Sequence, residues 1–238
     1  MWMWFPRLNS EGPLRSYGRC APAVKMGRLA AAVTLAAALA SPGALASSHP
    51  LKIVALGDSL TAGLGLPANE AFPARLQEAL AARGVVADIA NAGVSGETAS
   101  GGVARLDWSV PDGTDAVILE LGANDALRGI DPKVTRAALE SMLARLQARH
   151  IPVLLCGMLA PRNMGPEYAG AFDAIYPDLA EKYGAILYPF FLDGVATDPK
   201  LNQRDGLHPT AAGVDRIVAK ILPDVQRLIS AAKVARAP

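Results

Sequence analysis

Residues 53–66 read IVALGDSLTAGLGL, and this stretch decides how the chain is expected to fold. Ile53–Leu56 is a short continuous apolar run, which is typical of a strand buried on both faces of a parallel sheet. Gly57 and Asp58 end the run, and Ser59 follows them. A serine at this point lies where α/β sheets bind their ligands, at the carboxyl end of a strand. Because helix caps and turns also use serine, this stretch alone leaves both interpretations open.

The chain after this stretch alternates between apolar runs and helical patterns. The predicted strands are 53–56, 86–90, 116–121, 153–156 and 185–187. The predicted helices are 72–83, 99–108, 132–149, 168–183 and 211–232. Such alternation implies right-handed crossovers, and therefore an α/β fold with a three-layer α/β/α sandwich around a five-stranded parallel sheet. In the third helix, four apolar residues at four-residue steps predict the stripe that faces the sheet: Val134, Ala138, Met142 and Leu146.

The first 46 residues are predicted to be a secretory signal peptide. Basic residues precede an apolar stretch from Leu29 to Ala40, and Ala44-Leu45-Ala46 is an A-x-A cleavage site. The apolar stretch is shorter than the roughly 20 residues that a membrane span needs. We therefore expect cleavage after Ala46, a mature domain of residues 47–238 without a membrane span, and a periplasmic or secreted protein. Met26 is a second candidate for the start of translation, because the segment before it is long for a basic n-region.

The composition and the motifs of the mature chain argue against nucleic-acid binding and against a metal or phosphate-binding site. Residues 1–46 hold five of the 23 Lys and Arg residues and one of the 22 Asp and Glu residues. The mature chain therefore has 18 basic and 21 acidic residues, and a net charge near −3. Nucleic-acid binding requires a basic face, so we expect no nucleic-acid partner. After residue 46, Cys156 is the one cysteine, and its apolar neighbours predict a buried thiol. The sequence shows no metal-ligand spacing and no phosphate-binding glycine motif, so we expect neither a metal nor a cofactor.

The most specific motif is Asp205-Gly206-Leu207-His208-Pro209, just before the last predicted helix. An acid and a histidine three residues apart can fold into one turn, so that the carboxylate accepts from the imidazole Nδ1–H and orients the ring. The other ring nitrogen can then face a serine hydroxyl, which is a weak nucleophile without such a base. We therefore expect Ser59, His208 and Asp205 to form a catalytic triad. The alternative is that His208 is an ordinary turn residue.

Acyl transfer also needs hydrogen-bond donors for the oxyanion that develops in the transition state. Three donors are candidates: the backbone N–H of Ser59, the backbone N–H of Gly93 and the carboxamide of Asn124. A glycine or an asparagine after a strand is more often only a turn residue. Their shared position on loops at the sheet edge that presents Ser59 favours an oxyanion hole.

Four segments of the chain resemble the four blocks of the GDSL esterases, also called SGNH hydrolases, in order and spacing: GDSLTAG, NAGVSGET, LGANDALRG and DGLHPTAAG. The likeness extends from about Ile53 to Ile221 and is greatest for the bacterial thioesterase I, arylesterase and lysophospholipase group. It implies a flavodoxin-like sandwich with strand order 2-1-3-4-5. It also implies that the nucleophile, base and acid are Ser59, His208 and Asp205, and that the oxyanion hole is formed by Ser59, Gly93 and Asn124.

The resemblance implies a serine esterase that hydrolyses acyl or aryl esters, and thioesters or lysophospholipids, through an acyl-enzyme and without a cofactor. Leu64, Leu127, Ile130 and Pro161 are expected to line the groove for the acyl chain. A second interpretation is a polysaccharide or small-substrate O-deacetylase of the same family, and a third is a non-catalytic lipid- or glycan-binding module. The expected partner is a small ester or lipid-like substrate. The oligomeric state is left open, a monomer included.

Overall fold

The predicted α/β sandwich is confirmed by the computed structural model, which describes residues 49–236. Five strands form one parallel sheet in the order β2-β1-β3-β4-β5. The strands are β1 (Leu51–Gly57), β2 (Ala87–Gly93), β3 (Ala116–Glu120), β4 (Val153–Cys156) and β5 (Ile186–Tyr188). The predicted signal peptide, residues 1–46, lies outside the described residues.

Helices cover both faces of this sheet. The α-helices of the described part are α1 (Ser59–Ala62), α2 (Phe72–Ala81), α3 (Ala99–Ser109), α4 (Ala123–Leu127), α5 (Pro132–Ala148), α6 (Pro166–Asp173), α7 (Ile175–Tyr183) and α8 (Ala211–Ala235). Helices α2 and α8 pack together on one face, and α3, α5 and α7 pack on the other. None of these helices is long and apolar enough to cross a membrane.

The central strands consist almost entirely of apolar residues because helices cover both of their faces. Every residue of β3 and β4 is buried, and in β1 only Lys52 is exposed. Burying one side chain such as Ile118 contributes about 1.5–3 kcal/mol of stability. In β2, which lies at the edge of the sheet, only Ile89 is buried. The central strands therefore form a rigid base for the loops at their carboxyl ends.

The helix predicted over 168–183 is two helices, and this prediction was wrong at its centre. Helix α6 ends at Asp173 and α7 begins at Ile175. Pro177 lies four residues after Asp173. Because proline has no N–H, it cannot bond the carbonyl of Asp173, whereas it is tolerated in the first turn of a new helix. The chain therefore stops one helix and starts the next before the proline.

The predicted stripe on α5 is wrong at its first residue. Val134 is 48% exposed, whereas Thr135 and Leu139 are fully buried. An α-helix advances about 100° per residue, so each four-residue step overshoots a full turn by about 40°. Three such steps separate Val134 from Leu146 by about 120° around the helix axis. The buried face instead follows residues 135, 139, 142 and 146.

Candidate active site

Ser59 begins a one-turn helix directly after the central strand β1. The Asp58 carboxylate caps this helix by accepting from the Leu60 N–H at 3.0 Å, and Gly63 ends it in the left-handed region at φ 79°. Ser59 is 7% exposed. The serine hydroxyl is thus presented at the carboxyl edge of the sheet by a short, capped turn.

The loop before α8 brings His208 and Asp205 to this serine. His208 Nε2 lies 2.8 Å from Ser59 Oγ, and His208 Nδ1 lies 2.6 Å from Asp205 Oδ2. The other carboxylate oxygen of Asp205 accepts from the N–H groups of Leu207 and His208, at 2.9 and 3.0 Å. Gly206 has a φ of 72° and so permits the tight turn between them. The structure therefore brings together the three side chains that the sequence singled out.

The electrostatics of this loop favour one tautomer of the imidazole. The backbone N–H groups of His208 and Leu207, followed by the imidazole, lower the pKa of Asp205 to about 2. Asp205 is therefore ionised at neutral pH and accepts from Nδ1–H. With its proton on Nδ1, the neutral ring leaves Nε2 free to accept from the Ser59 hydroxyl.

Asn124 lies beside the serine, and Ser59 and Asn124 both line one cavity. The Asn124 Nδ2 group donates to Asp58 Oδ2 at 3.0 Å. A carboxamide nitrogen carries two hydrogens, so this bond leaves the second one for another acceptor. The backbone N–H of Ser59 and the remaining N–H of Asn124 are thus two donors near the serine hydroxyl.

The amide of Gly93, expected as a third donor, has a different partner. It donates to the side-chain oxygen of Asn91 at 3.0 Å. The next amide along the chain, that of Val94, donates to Gly57 of β1 at 3.0 Å. Successive N–H groups of a strand point in opposite directions, so the Gly93 amide points to the outer edge of the sheet. In this structure the Gly93 N–H is thus bonded within its own strand, and its role as an oxyanion donor stays a prediction.

We expect the alanine substitution of Gly93 to destabilise the fold. A Cβ there would overlap the backbone nitrogen of Ala62 and lie 2.8 Å from the carbonyl oxygen of Asp58. Because these backbone atoms flank Ser59 and cannot shift freely, Gly93→Ala should lower the free energy of unfolding by more than about 2 kcal/mol. Denaturant unfolding measures this, with Gly170→Ala in α6 as the control, since a Cβ there meets nothing within 4 Å. Equal stability of Gly93→Ala and the wild type would contradict the close approach.

Two buried carboxyl groups lie below the turn that carries Ser59. Asp58 and Glu120 are each 0% exposed. Burial raises the pKa of Asp58 to about 6. Burial, followed by the negative charge of Asp58, raises the pKa of Glu120 well above its usual range. Burial therefore favours the neutral form of both carboxyl groups, and that of Glu120 more strongly.

The raised pKa of Asp58 predicts a pH dependence of stability. Between its ordinary pKa of 3.8 and its folded-state pKa of about 6, the folded protein binds more protons than the unfolded chain. In that window the contribution of Asp58 to stability falls as the pH rises. Asp58→Asn does not titrate, so its free energy of unfolding relative to the wild type should increase between pH 4 and pH 7, by at most about 3 kcal/mol. Urea unfolding across this range measures the difference, and a constant difference would contradict the raised pKa.

A cavity of about 340 Å³ opens beside Ser59. Its apolar lining includes Leu60, Ala126, Leu127, Met158, Leu159, Pro161, Phe190, Leu192 and Leu207. Two of the expected groove residues, Leu127 and Pro161, belong to this lining, whereas Leu64 and Ile130 do not. Sequence reasoning missed Met158 and Phe190, each two residues beyond the end of a strand. Their position at the carboxyl edge of the sheet was the available signal.

Other residues that the sequence singled out are structural. Cys156 is fully buried, as predicted, and burial raises the pKa of its thiol well above the usual range, which makes it inert. A larger cavity of about 470 Å³ lies beside His150, and none of the predicted site residues lines it. Within residues 49–236, no three His, Cys, Asp or Glu side chains form a group that could hold a metal ion.

Comparisons with known proteins identify the family of the chain. A model of the GDSL-like lipase/acylhydrolase family matches residues 55–216. An arylesterase of Vibrio mimicus is 40% identical over 165 residues, which cover 69% of this chain and 82% of the relative. The thioesterase 1/protease 1/lysophospholipase L1 of Escherichia coli K12 is 35% identical over 179 residues, which cover 75% of this chain and 85% of the relative.

A solved structure is similar over the same region. The crystal structure of AlinE4, an SGNH-hydrolase family esterase, has 48% sequence identity and a TM-score of 0.64, and covers 75% of this chain and 96% of AlinE4. The family match spans more than half of the chain, and it includes Ser59, Asn124, Asp205 and His208. The chain therefore belongs to the GDSL-like lipase/acylhydrolase family.

Proposed function

We propose that the protein hydrolyses carboxylic esters through an acyl-enzyme formed on Ser59. One observation carries the proposal: the hydrogen-bonded chain from Ser59 Oγ through His208 to Asp205, with separations of 2.8 and 2.6 Å, at an apolar cavity. A hydroxyl, a base and an orienting carboxylate in this arrangement are the parts that acyl transfer to serine requires.

In the first half of the reaction, Ser59 Oγ attacks the ester carbonyl while His208 Nε2 takes the hydroxyl proton. The oxyanion of the tetrahedral intermediate accepts from the Ser59 N–H and from the free N–H of Asn124. His208 then gives its proton to the leaving alcohol or thiol, and the acyl group stays on Ser59. In the second half, water gives a proton to His208 and attacks the acyl carbonyl. The bond between the acyl carbon and Ser59 Oγ then breaks, His208 returns the proton to Oγ, and the acid is released.

The cavity beside Ser59 indicates the substrate class. Its lining is mainly leucine, methionine, phenylalanine, proline and alanine side chains. Each methylene group that such a lining buries contributes about 0.8 kcal/mol, or roughly fourfold in affinity. We therefore infer acyl or aryl esters as substrates, with thioesters and lysophospholipids included because their acyl chains fit the same lining. The names of the two relatives, an arylesterase and a thioesterase/lysophospholipase, support this inference.

A substrate panel tests the proposal. We expect kcat/KM for p-nitrophenyl esters to rise with acyl length from acetate until the cavity is full, and Phe190→Ala to move the optimum to longer chains. Trp108→Ala is the control, because Trp108 is 72% exposed on α3 and does not line the cavity. Acetylated xylan, an acyl thioester and a lysophospholipid complete the panel. Preference for xylan over every acyl ester would favour the O-deacetylase.

We further propose that the protein is exported and that its signal peptide is cleaved after Ala46. The support is the order of basic residues, apolar stretch and Ala44-Leu45-Ala46 in the sequence. Cell fractionation followed by mass spectrometry of the N-terminal peptide tests this. A periplasmic or secreted protein that begins at Ser47 is expected, and an uncleaved protein in the cytoplasm would contradict it.

A further inference from the structure

Glu120 lies beneath the turn that carries Ser59 and takes no part in the proton transfers proposed above. It is the last residue of β3, and it pairs in register with Gly57 of β1 and Cys156 of β4. Its side chain is 0% exposed in the centre of the sheet. A polar group at such a site destabilises the fold unless hydrogen bonds compensate for the lost water. The partners of this carboxyl group are therefore informative.

One oxygen of Glu120 binds the nucleophile turn on both sides of the serine. Oε2 accepts from the Thr61 hydroxyl at 2.7 Å and from the backbone N–H of Asp58 at 3.3 Å. These donors belong to the residue before Ser59 and to the second residue after it. A single acceptor atom thus ties the start of α1 and its first turn to the end of β3.

Gly57 permits this contact because it has no side chain. A Cβ on Gly57 would lie 2.7 Å from Glu120 Oε2, and it would also overlap the Thr61 hydroxyl. Only glycine lets the end of β1 approach the carboxyl group this closely. The glycine of the GDSL segment therefore has a local steric reason, which is the close approach of the Thr61 hydroxyl and of the backbone and side chain of Glu120.

The same carboxyl group is linked to Asn124 through Asp58. Glu120 holds the Asp58 backbone, and the Asp58 carboxylate accepts from Asn124 Nδ2 at 3.0 Å. A displacement of Asp58 would therefore move two parts of the site together: the turn that bears the Ser59 hydroxyl and the carboxamide of Asn124. Misplacement of reacting groups by about 1 Å can cost about 10²-fold in rate.

The two hydrogen bonds that Glu120 accepts require an oxygen atom as acceptor, but they do not require a negative charge on the side chain. Oε2 takes both hydrogens, and Oε1 has no hydrogen-bond partner among the described residues. In a neutral acid, Oε2 is then the carbonyl oxygen and Oε1 carries the proton. A glutamine presents the same carbonyl oxygen in nearly the same shape, whereas a leucine of similar volume presents none.

We propose that Glu120 is a positioning residue for the hydrolytic reaction. Its Oε2 holds Asp58 and Thr61, and this fixes the Ser59 hydroxyl and the Asn124 carboxamide in their reactive orientation. The inference rests on the proposed role of Ser59 as the nucleophile. It assigns to Glu120 an acceptor function that needs no charge and that acts through the turn, not on the substrate.

The test compares Glu120→Gln with Glu120→Leu in the folded, full-length protein. We expect Glu120→Gln to keep kcat for a short p-nitrophenyl ester within about threefold. Glu120→Leu should lower kcat about 10²-fold, with KM within about twofold, because the acyl cavity is untouched. The rate of fluorophosphonate labelling of Ser59 should fall in parallel with kcat. Cys156→Ala is the control, because it perturbs the neighbouring buried position without a bond to the turn.

Several results would overturn the inference. Wild-type kcat and labelling rate in Glu120→Leu would show that the acceptor is not needed, and an equal loss in Glu120→Gln would show that it is not sufficient. A wild-type protein that the probe does not label would instead contradict the role of Ser59. If Glu120→Leu does not fold, Thr61→Val removes the same bond from the other partner. We expect Thr61→Val to lower kcat about tenfold, and Thr61→Ser, which keeps the hydroxyl, to have the wild-type kcat. An unchanged kcat in Thr61→Val would overturn the inference.

Discussion

Ser59→Ala is expected to abolish ester hydrolysis, with a fall in kcat of about 10⁶-fold. The substitution removes the atom on which the acyl-enzyme forms, whereas it removes only one hydrogen bond, to His208 Nε2, from the folded protein. The free energy of unfolding should therefore change by no more than about 1 kcal/mol. Steady-state kinetics and denaturant unfolding on the same preparation separate the two effects.

A second serine supplies the control for this experiment. Ser95 is exposed in the loop after β2, and Ser95→Ala should leave both kcat and stability at the wild-type level. Hydrolysis by Ser59→Ala within a hundredfold of the wild type would show that another group is the nucleophile. Loss of the fold in this variant would be equally contrary to expectation.

Asp205→Asn is expected to lower kcat about 10³- to 10⁴-fold, which is less than the loss in Ser59→Ala. The asparagine oxygen can still accept from the N–H groups of Leu207 and His208, so the NH₂ group would face His208 Nδ1. The imidazole would then accept at Nδ1 and carry its proton on Nε2. A protonated Nε2 cannot take the proton of the Ser59 hydroxyl, so the base is lost although the geometry is kept.

Kinetics across pH 6–9 measure this effect. Asp193→Asn is the matched control, because this exposed aspartate pairs with Lys220 and does not line the cavity beside Ser59. It should show wild-type kcat. Activity of Asp205→Asn within tenfold of the wild type would contradict the proposed role of the carboxylate in setting the tautomer.

The sheet and the triad were predictable because the signals for them are local. Apolar runs such as Val153–Cys156 are strands because each is short and bounded by breakers, and alternation with helices then determines the strand order to within a few topologies. Asp205 and His208 are three residues apart, so their hydrogen bond is a property of one turn. The strand-end rule then brings Ser59 to the same edge, although 149 residues separate it from His208.

The errors have equally specific causes. Strand β2 was predicted over 86–90 but extends to Gly93, because its pairing with β1 continues through Gly57 and the sequence does not show that register. The break between α6 and α7 has a local signal, Pro177, which the helical periodicity over 168–183 does not reveal. The one-turn helices α1 and α4 are too short for a periodicity to reveal them.

The buried network could not be predicted at all. Glu120 binds Asp58 and Thr61 across 62 and 59 residues of sequence. In the sequence, a glutamate after an apolar run is equally consistent with a residue that only ends the strand and with one that is buried beneath the site. Only the packing of β3 beside β1 shows that its side chain points under the nucleophile turn.

The most direct test of the account is mass spectrometry of the protein after treatment with a fluorophosphonate probe. We expect one covalent adduct per chain, located on the peptide that contains Ser59, and a much slower reaction in His208→Ala, since the hydroxyl then lacks its base. No adduct would favour a non-catalytic binding module, and an adduct on any other residue would contradict the assignment of Ser59.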